Sequence, residues 1–299
     1  SRMHIVNSRN SGNLSRRSQA QTQGDGVSLK AYLESRELDA EIKELEGEDL
    51  NLEISIGGGI IGANLENQII DHCINTGTMN GFIGLGGIVG FNAGGVFNCQ
   101  LSDNFGNPGL DYIGGIAGLN VHAGGAKEGA GGIGRKTSTY TDVLGNQWND
   151  FTSGTVAQCS TQEKRNISGR SYVGGIVGYN LSGAGMISNR NNANVTGAGD
   201  YVGGMAGANS GSILVAENGN ANPAYAIAGN NGQGIGGIVG WNRASGIIDV
   251  TSDKEDVTEI VAVDNNVSIT GREKLGGIVG INEGKLDASA TDQSVQERF

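Results

Sequence analysis

Short apolar runs alternate along this chain with glycine-rich and polar turns, and the alternation itself repeats. The same heptapeptide returns seven times: Gly58-Gly59-Ile60-Ile61-Gly62-Ala63-Asn64, Gly86 to Asn92, Gly114 to Asn120, Gly174 to Asn180, Gly203 to Asn209, Gly236 to Asn242 and Gly276 to Asn282. Its terminal asparagines are spaced by 28, 28, 60, 29, 33 and 40 residues, so the base period is 28 or 29. A turn and an alternating strand follow each copy, such as Val96-Phe97-Asn98-Cys99, Met186-Ile187-Ser188-Asn189 or Ile247-Ile248-Asp249-Val250. A third short strand, as in Asn194-Val195-Thr196-Gly197, precedes the next glycine pair. Three short β segments with polar turns make up one solenoid coil.

A single coil cannot bury its own apolar residues. Stacked coils can, with each strand lying roughly 4.8 Å from its counterpart. The pattern therefore predicts an all-β fold, a parallel β-helix of seven to eight coils. Identical residues then form ladders. An asparagine ladder of Asn64, Asn92, Asn120, Asn180, Asn209, Asn242 and Asn282 is the structural reading of that column, because an amide can donate and accept along the stack. The glycines are expected to serve tight corners and positive φ.

This pattern resembles the GLUG motif, a glycine-rich repeat of large bacterial surface proteins, among them adhesin-like proteins and immunoglobulin A peptidases. The resemblance covers residues 54 to 290 through the repeats. It implies a secreted or surface-exposed β-helix and right-handed winding, in line with the usual chirality of parallel crossovers. It names no single activity, since the repeat is a scaffold shared by several kinds of protein. The peptidases of that group carry their zinc motif elsewhere, so the resemblance to them concerns a non-catalytic β-helix.

Departures from the period mark the insertions. His4 to Asn13 looks like the second half of a repeat when set beside Gln68 to Gly77, and the chain ends inside another repeat after Lys285 to Ser289. The expectation is one solenoid domain over 1–299, a fragment of a longer parent protein. A first insertion spans 14–52. Within it, 28–47 reads as an α-helix near the N-terminus: Leu29, Tyr32, Leu33, Ile42 and Leu45 recur at helical spacing, Ser28 can cap the start and Gly47 can close the end. A second insertion, 121–153, explains the doubled interval. It carries a glycine-rich run and then Tyr140, Trp148 and Phe151. Aromatic residues on a projecting loop can anchor a partner or fold back on the coils, and both readings stand. A smaller acidic insertion lies near Asp253 to Val261, and the region Asn218 to Gly234 adds a few residues to its coil.

Composition narrows the function. The 299 residues include 54 glycines and 2 prolines, without a three-residue period, which excludes collagen. The net charge of −11 and pI near 4.7 would repel nucleic acid. Of that charge, −6 resides in Asp25 to Asp49, with nine acidic and three basic residues. Ser1-Arg2-Met3-His4 leads into polar sequence rather than an apolar signal-peptide run, so the expectation is either a cytosolic chain or a mature piece of a larger secreted protein, and the repeats favour the second; no run reaches the roughly 20 apolar residues that span a bilayer.

Candidate chemistry is sparse. Gly129 to Thr137 departs from the phosphate-binding spacing because Arg135 precedes Lys136. His4, His72 and His122 form no metal-binding pair, no G-x-S-x-G is present, and the calcium nonapeptide is missing. Asp71, Asp103 and Asp249 do not mark a repeated acidic ladder. No metal, cofactor or catalytic residue is assigned. Cys73, Cys99 and Cys159 occupy equivalent positions; buried free thiols are favoured over a Cys73–Cys99 disulfide, since the total is odd.

One further column precedes the ladder asparagine: Ala63, Phe91, Leu119, Tyr179, Ala208, Trp241 and Ile281. It either lines the core or forms an apolar strip open to a partner. The candidate partner-binding residues are thus Tyr140, Trp148, Phe151, Tyr179 and Trp241. The expected function is a non-enzymatic extracellular segment of a bacterial surface protein, acting in adhesion, partner binding or as a stalk, with a host or cell-surface protein or glycan as partner. The alternatives are a substrate-capturing β-helix of a secreted protease and a carbohydrate-active β-helix enzyme.

Overall fold

A computed structural model describes residues 4–15, 56–80, 84–122, 138–145, 147–151, 154–218, 226–249, 263–265 and 267–287. The expected helix 28–47 and the acidic insertion near Asp253 to Val261 lie outside these residues. The described chain is a parallel β-solenoid with three long sheets of seven, ten and thirteen strands. Among the described residues there is no helix, hence none long and apolar enough to cross a membrane.

The seven-stranded sheet collects the ends of the heptapeptides in chain order, from Ile61–Asn64 through Val89–Asn92 to Val279–Asn282. Every neighbouring pair is parallel and in register, with asparagine opposite asparagine. Each asparagine donates from Nδ2 to Oδ1 of the next, and all six links measure 2.8 Å. The donors all point toward the C-terminal coil. Nδ2 also reaches turn carbonyls, as from Asn120 to Gly154 O at 2.8 Å. These amides, buried from Asn64 to Asn242 and exposed at Asn282, therefore close the corner as well as the stack.

The expected three segments per coil become five. The thirteen-stranded sheet is bent in each coil, as where Gly95–Phe97 gives way to Gln100–Leu101. At the bend a non-glycine residue adopts left-handed φ near 50°: Asn7, His72, Asn98, Gln158 and Ser188. In the ten-stranded sheet, Phe105–Gly106 and Ile113–Gly114 are likewise separate strands of one coil. A second left-handed column precedes the glycine pairs and runs Gly84, Tyr112, Tyr172, Tyr201, Gly234 and Lys274.

This changes the role of the repeat glycines. Left-handed backbone falls mainly on other residues, whereas the glycines permit close approach. A Cβ on Gly86 would lie 1.8 Å from Val89 O, and one on Gly118 would lie 2.5 Å from the backbone of Gly84. At Gly86 two segments of one coil close on each other, and at Gly118 two neighbouring coils do, with no room for a side chain.

The core runs the length of the stack. Ile70, Ile88, Val89, Val96, Val156, Ile176, Met186 and Ile213 form one buried cluster, and Leu85, Leu101, Phe105, Ile113, Ile167 and Val173 belong to another. The N-terminal half-coil stacks on this body, but its register differs by one residue from the side-by-side match to Gln68 to Gly77. His4 faces Ile69, Ile5 faces Ile70, and Asn10 faces Asn75. The period of two explains the shift: it sets Ile5 against the core cluster and lets Asn10 donate to Asn75 Oδ1 at 2.9 Å.

Candidate functional site

The second insertion leaves and re-enters the coil at one corner. Val121 N donates to Asn92 O at 2.8 Å and Gly154 N to Gly94 O at 2.9 Å. Between them, Ser138–Thr141 and Gln147–Phe151 pair as an antiparallel hairpin. Its turn is closed by Gly145 N donating to Asp142 O at 3.0 Å and Leu144 N to Asp142 Oδ1 at 2.9 Å. Gly145 supplies the left-handed φ of 87° that this turn requires.

A buried carboxylate holds the hairpin to the bent sheet. Asp71 is fully buried and both its oxygens are engaged. Oδ1 accepts from Asn98 Nδ2 at 3.0 Å and lies 2.7 Å from His72 Nδ1. A carboxylate only accepts, so Nδ1 is the protonated nitrogen of that ring. Oδ2 accepts from the Tyr140 hydroxyl at 2.8 Å and from Val143 N at 3.0 Å. Asn98 Nδ2 also reaches Asp142 Oδ2 at 2.9 Å, so one amide ties both carboxylates together. Apolar contact supports the polar anchor. The Tyr140 ring lies 5.3 Å from Phe97 and 5.6 Å from His4, and it packs in a cluster with Ile69, Phe97 and Ala157. Burial, then the neighbouring Asp71, pushes the Tyr140 phenol above its ordinary range, which keeps it a donor.

The anchored hairpin presents its turn to solvent. Val143 is 44% and Leu144 69% exposed, and Leu144 is the most exposed large apolar side chain among the described residues. The five aromatic candidates do not form one patch. Tyr140 is buried against the coils. Trp148 stands opposite it in the hairpin register and Phe151 stands opposite Ser138; their side chains lie outside the described residues. Tyr179 is 1% exposed, so it offers no free ring to a partner; its hydroxyl sits 3.0 Å from Ser210 Oγ. Trp241 is half-buried, stacked 4.8 Å from Tyr201 with the Arg243 guanidinium 4.7 Å over its ring.

Phe91, Leu119 and Tyr179 therefore do not form an open apolar strip. They are buried in an aromatic cluster with Tyr112 and Tyr172, separate from the two clusters of the core. Tyr112 and Tyr172 stack at 4.6 Å, and Tyr172 meets Tyr201 at 5.0 Å. Sequence reasoning missed these tyrosines, although Tyr112-Ile113-Gly114, Tyr172-Val173-Gly174 and Tyr201-Val202-Gly203 are a visible recurrence. Asp71, Asn98 and Asp142 were missed as a group because the repeat carries no sign of where the insertion lands.

The three cysteines are free and buried in consecutive coils. Cys73 N donates to Cys99 Sγ at 3.3 Å, and Cys99 N to Cys159 Sγ at 3.4 Å. The Cys99 thiol, then burial, raises Cys73 above its ordinary range; burial, then Cys159, raises Cys99. Both stay protonated thiols. Among the described residues no group of three His, Cys, Asp or Glu side chains is arranged to hold a metal ion. Comparison with protein-family models, with curated proteins and with solved structures finds no match.

Proposed function

We propose that the chain is a non-enzymatic solenoid segment of a large, secreted or surface-displayed bacterial protein, and that it engages a host or cell-surface protein or glycan through the 138–151 hairpin. The observation that carries this reading is the pairing of a rigid anchor with an exposed tip. Asp71 and Tyr140 hold the hairpin on the coils, while Val143 and Leu144 stand in solvent. Exposed apolar side chains on a preorganised support suit an interface, because little ordering entropy remains to be lost on binding. Asp71 suits a structural role, since each of its oxygens already has two partners.

The test is binding of the purified chain to a glycan array and a panel of cell-surface proteins, beside a V143D/L144D variant. Both side chains are exposed, so the fold is expected to survive. Loss of binding with an unchanged unfolding transition supports the reading. Release of reducing ends or unsaturated sugars from a polysaccharide would replace it with an enzymatic one, and binding indifferent to the tip would move the interface elsewhere.

A further inference from the structure

Five N-x-S/T triplets stand in the sequence, at Asn13, Asn166, Asn180, Asn194 and Asn266. This triplet is the acceptor signal for attachment of a sugar to asparagine in secreted proteins. The fold sorts the five. Asn266 lies outside the described residues, and so does the side chain of Ser15 in the triplet of Asn13. Asn180 belongs to the internal ladder. It is fully buried, and its Nδ2 donates to Asn209 Oδ1 at 2.8 Å and to Ser212 O at 3.3 Å. No transferase reaches that nitrogen.

Asn166 is the opposite case. It opens the strand Asn166–Gly169 of the ten-stranded sheet, where Asn166 is exposed, Ile167 is buried in the core and Ser168 is half-buried. The two-residue period of a strand puts Asn166 and Ser168 on the same outer face. Both residues that a transferase reads are therefore presented from one side. Asn166 N donates to Asn104 Oδ1 at 2.9 Å, and Nδ2 reaches the same oxygen at 3.4 Å. Asn166 Oδ1 accepts from Asn194 Nδ2 at 3.0 Å. A primary amide nitrogen carries two hydrogens, and the long Asn104 contact uses one. Substitution by a sugar carbon replaces the other, and it leaves the Asn166 carbonyl for Asn194. Both links to neighbouring coils thus survive. Asn194-Val195-Thr196 repeats the alternation one coil on, but Asn194 is half-buried. A sugar on Asn166 stands over that rung, which is roughly 4.8 Å away.

From this we infer that Asn166 is a site of N-linked glycosylation. The sugar projects from the ten-stranded sheet, whereas the hairpin packs on the thirteen-stranded one. In the transfer, Asn166 Nδ2 attacks the anomeric carbon of a sugar activated as a diphosphate ester. A C–N bond forms and the C–O bond to phosphate breaks. The diphosphate leaves with the bonding pair, the amide proton passes to a base of the transferase, and nothing is oxidised or reduced. The inference rests on the reading of the chain as secreted or surface-displayed, and it is independent of what the hairpin binds.

Peptide mass spectrometry of the chain, purified from the cells that produce it, tests the site. Cleavage after lysine and arginine separates the candidates: Asn166 lies on the peptide Asn166 to Arg170, Asn180 on Ser171 to Arg190 and Asn194 on Asn191 to Arg243. The mass of whole sugar residues should appear on the first alone. S168A keeps the asparagine and should lose the sugar, S168T restores the hydroxyl and should regain it, and N194Q should leave it in place. All three changes are on the outer face, so the coils should persist, which circular dichroism verifies. A wild type without sugar on Asn166, sugar on Asn180 or Asn194 in its stead, or sugar retained in S168A would overturn the inference. The cellular fraction is read separately: recovery from the cytosol overturns the secreted reading, and a bare Asn166 overturns this one wherever the chain is found.

Discussion

The tyrosine column puts two opposing terms on one residue. Tyr172 holds a left-handed φ of 55°, which costs a residue with a Cβ roughly 1–2 kcal/mol. Its ring is 8% exposed and stacked 4.6 Å from Tyr112. Truncating a buried aromatic ring costs about 3–5 kcal/mol. Tyr172→Ala removes the ring and keeps the strain. Tyr172→Gly removes the ring and relieves the strain, at an unfolded-state entropy cost of about 0.4–1 kcal/mol. The glycine variant should therefore be the more stable of the two, by about 1 kcal/mol. At Val202, a buried strand position with no left-handed φ, the order should reverse, with alanine ahead of glycine by about 0.5–1 kcal/mol. Urea unfolding of the four variants, compared at a common m value, reads both signs. The solenoid already uses glycine for this conformation at Gly84 and Gly234. An alanine variant at Tyr172 equal to or more stable than its glycine counterpart would refute the claim that the stacked rings offset strain.

Other expectations follow from the ladders and the anchor. Asn120→Ala removes the acceptor of Asn92 and the donor to Asn180, and should cost about 2–4 kcal/mol in urea unfolding. Tyr140→Phe leaves Asp71 Oδ2 short of one donor and should cost about 1.5–3 kcal/mol, with faster proteolysis within the hairpin as a second readout. The raised thiols of Cys73 and Cys99 give an alkaline dependence. Their contribution is fully present below the unfolded thiol pKa of about 8.5, and stability then falls by about 1.4 kcal/mol per pH unit for each thiol, because only the unfolded chain releases the proton. Urea unfolding between pH 8 and pH 10 should show this slope, and C73A and C99A should each flatten it.

The solenoid was legible because one coil restates the next. Asparagine at the end of every heptapeptide has an explanation only in a stack, so period, register and ladder follow together. Where the repeat is silent, so was the reading. Asp71 meets Tyr140 from 69 positions away, across an insertion with no copy elsewhere in the chain. The half-coil at His4 sits one residue away from its side-by-side match to Gln68 to Gly77. Ile5 can be matched to Ile69 or Ile70, and its packing against the core cluster together with the amide contact of Asn10 with Asn75 separates the two. The heptapeptide alone leaves the aromatic column either buried or open, because its burial depends on tyrosines at left-handed positions where sterics favour glycine. Leu101 shows the limit of ladder logic. It stands over Asn75 in the stack, and Asn75 Nδ2 is left buried without an acceptor.

The corner after each ladder asparagine explains how the hairpin could be acquired without disturbing the coils. Two residues bridge it at Ala93-Gly94, Ser210-Gly211 and Glu283-Gly284, and four at Leu65 to Gln68, Leu181 to Ala184 and Arg243 to Gly246. After Asn120 the chain takes Val121, departs, and returns at Gly154 before Thr155. The two ends touch: a Cβ on Gly154 would lie 2.3 Å from Val121 O. Deleting 122–153 therefore leaves Asn120-Val121-Gly154-Thr155, the counterpart of Asn92-Ala93-Gly94-Gly95, with each ladder residue unmoved. The shortened chain should fold to the same solenoid and keep the thiol and asparagine columns, because the excursion closes on itself and adds only a slowly growing loop entropy. It should lose some stability as Ile69 and Phe97 are uncovered, while Asp71 regains water in place of Tyr140 and Val143. Circular dichroism, thermal unfolding and the binding panel applied to this one variant separate scaffold from site. A chain that no longer folds would show that the hairpin is part of the solenoid's own stability, and the corner would cease to be a point of free insertion.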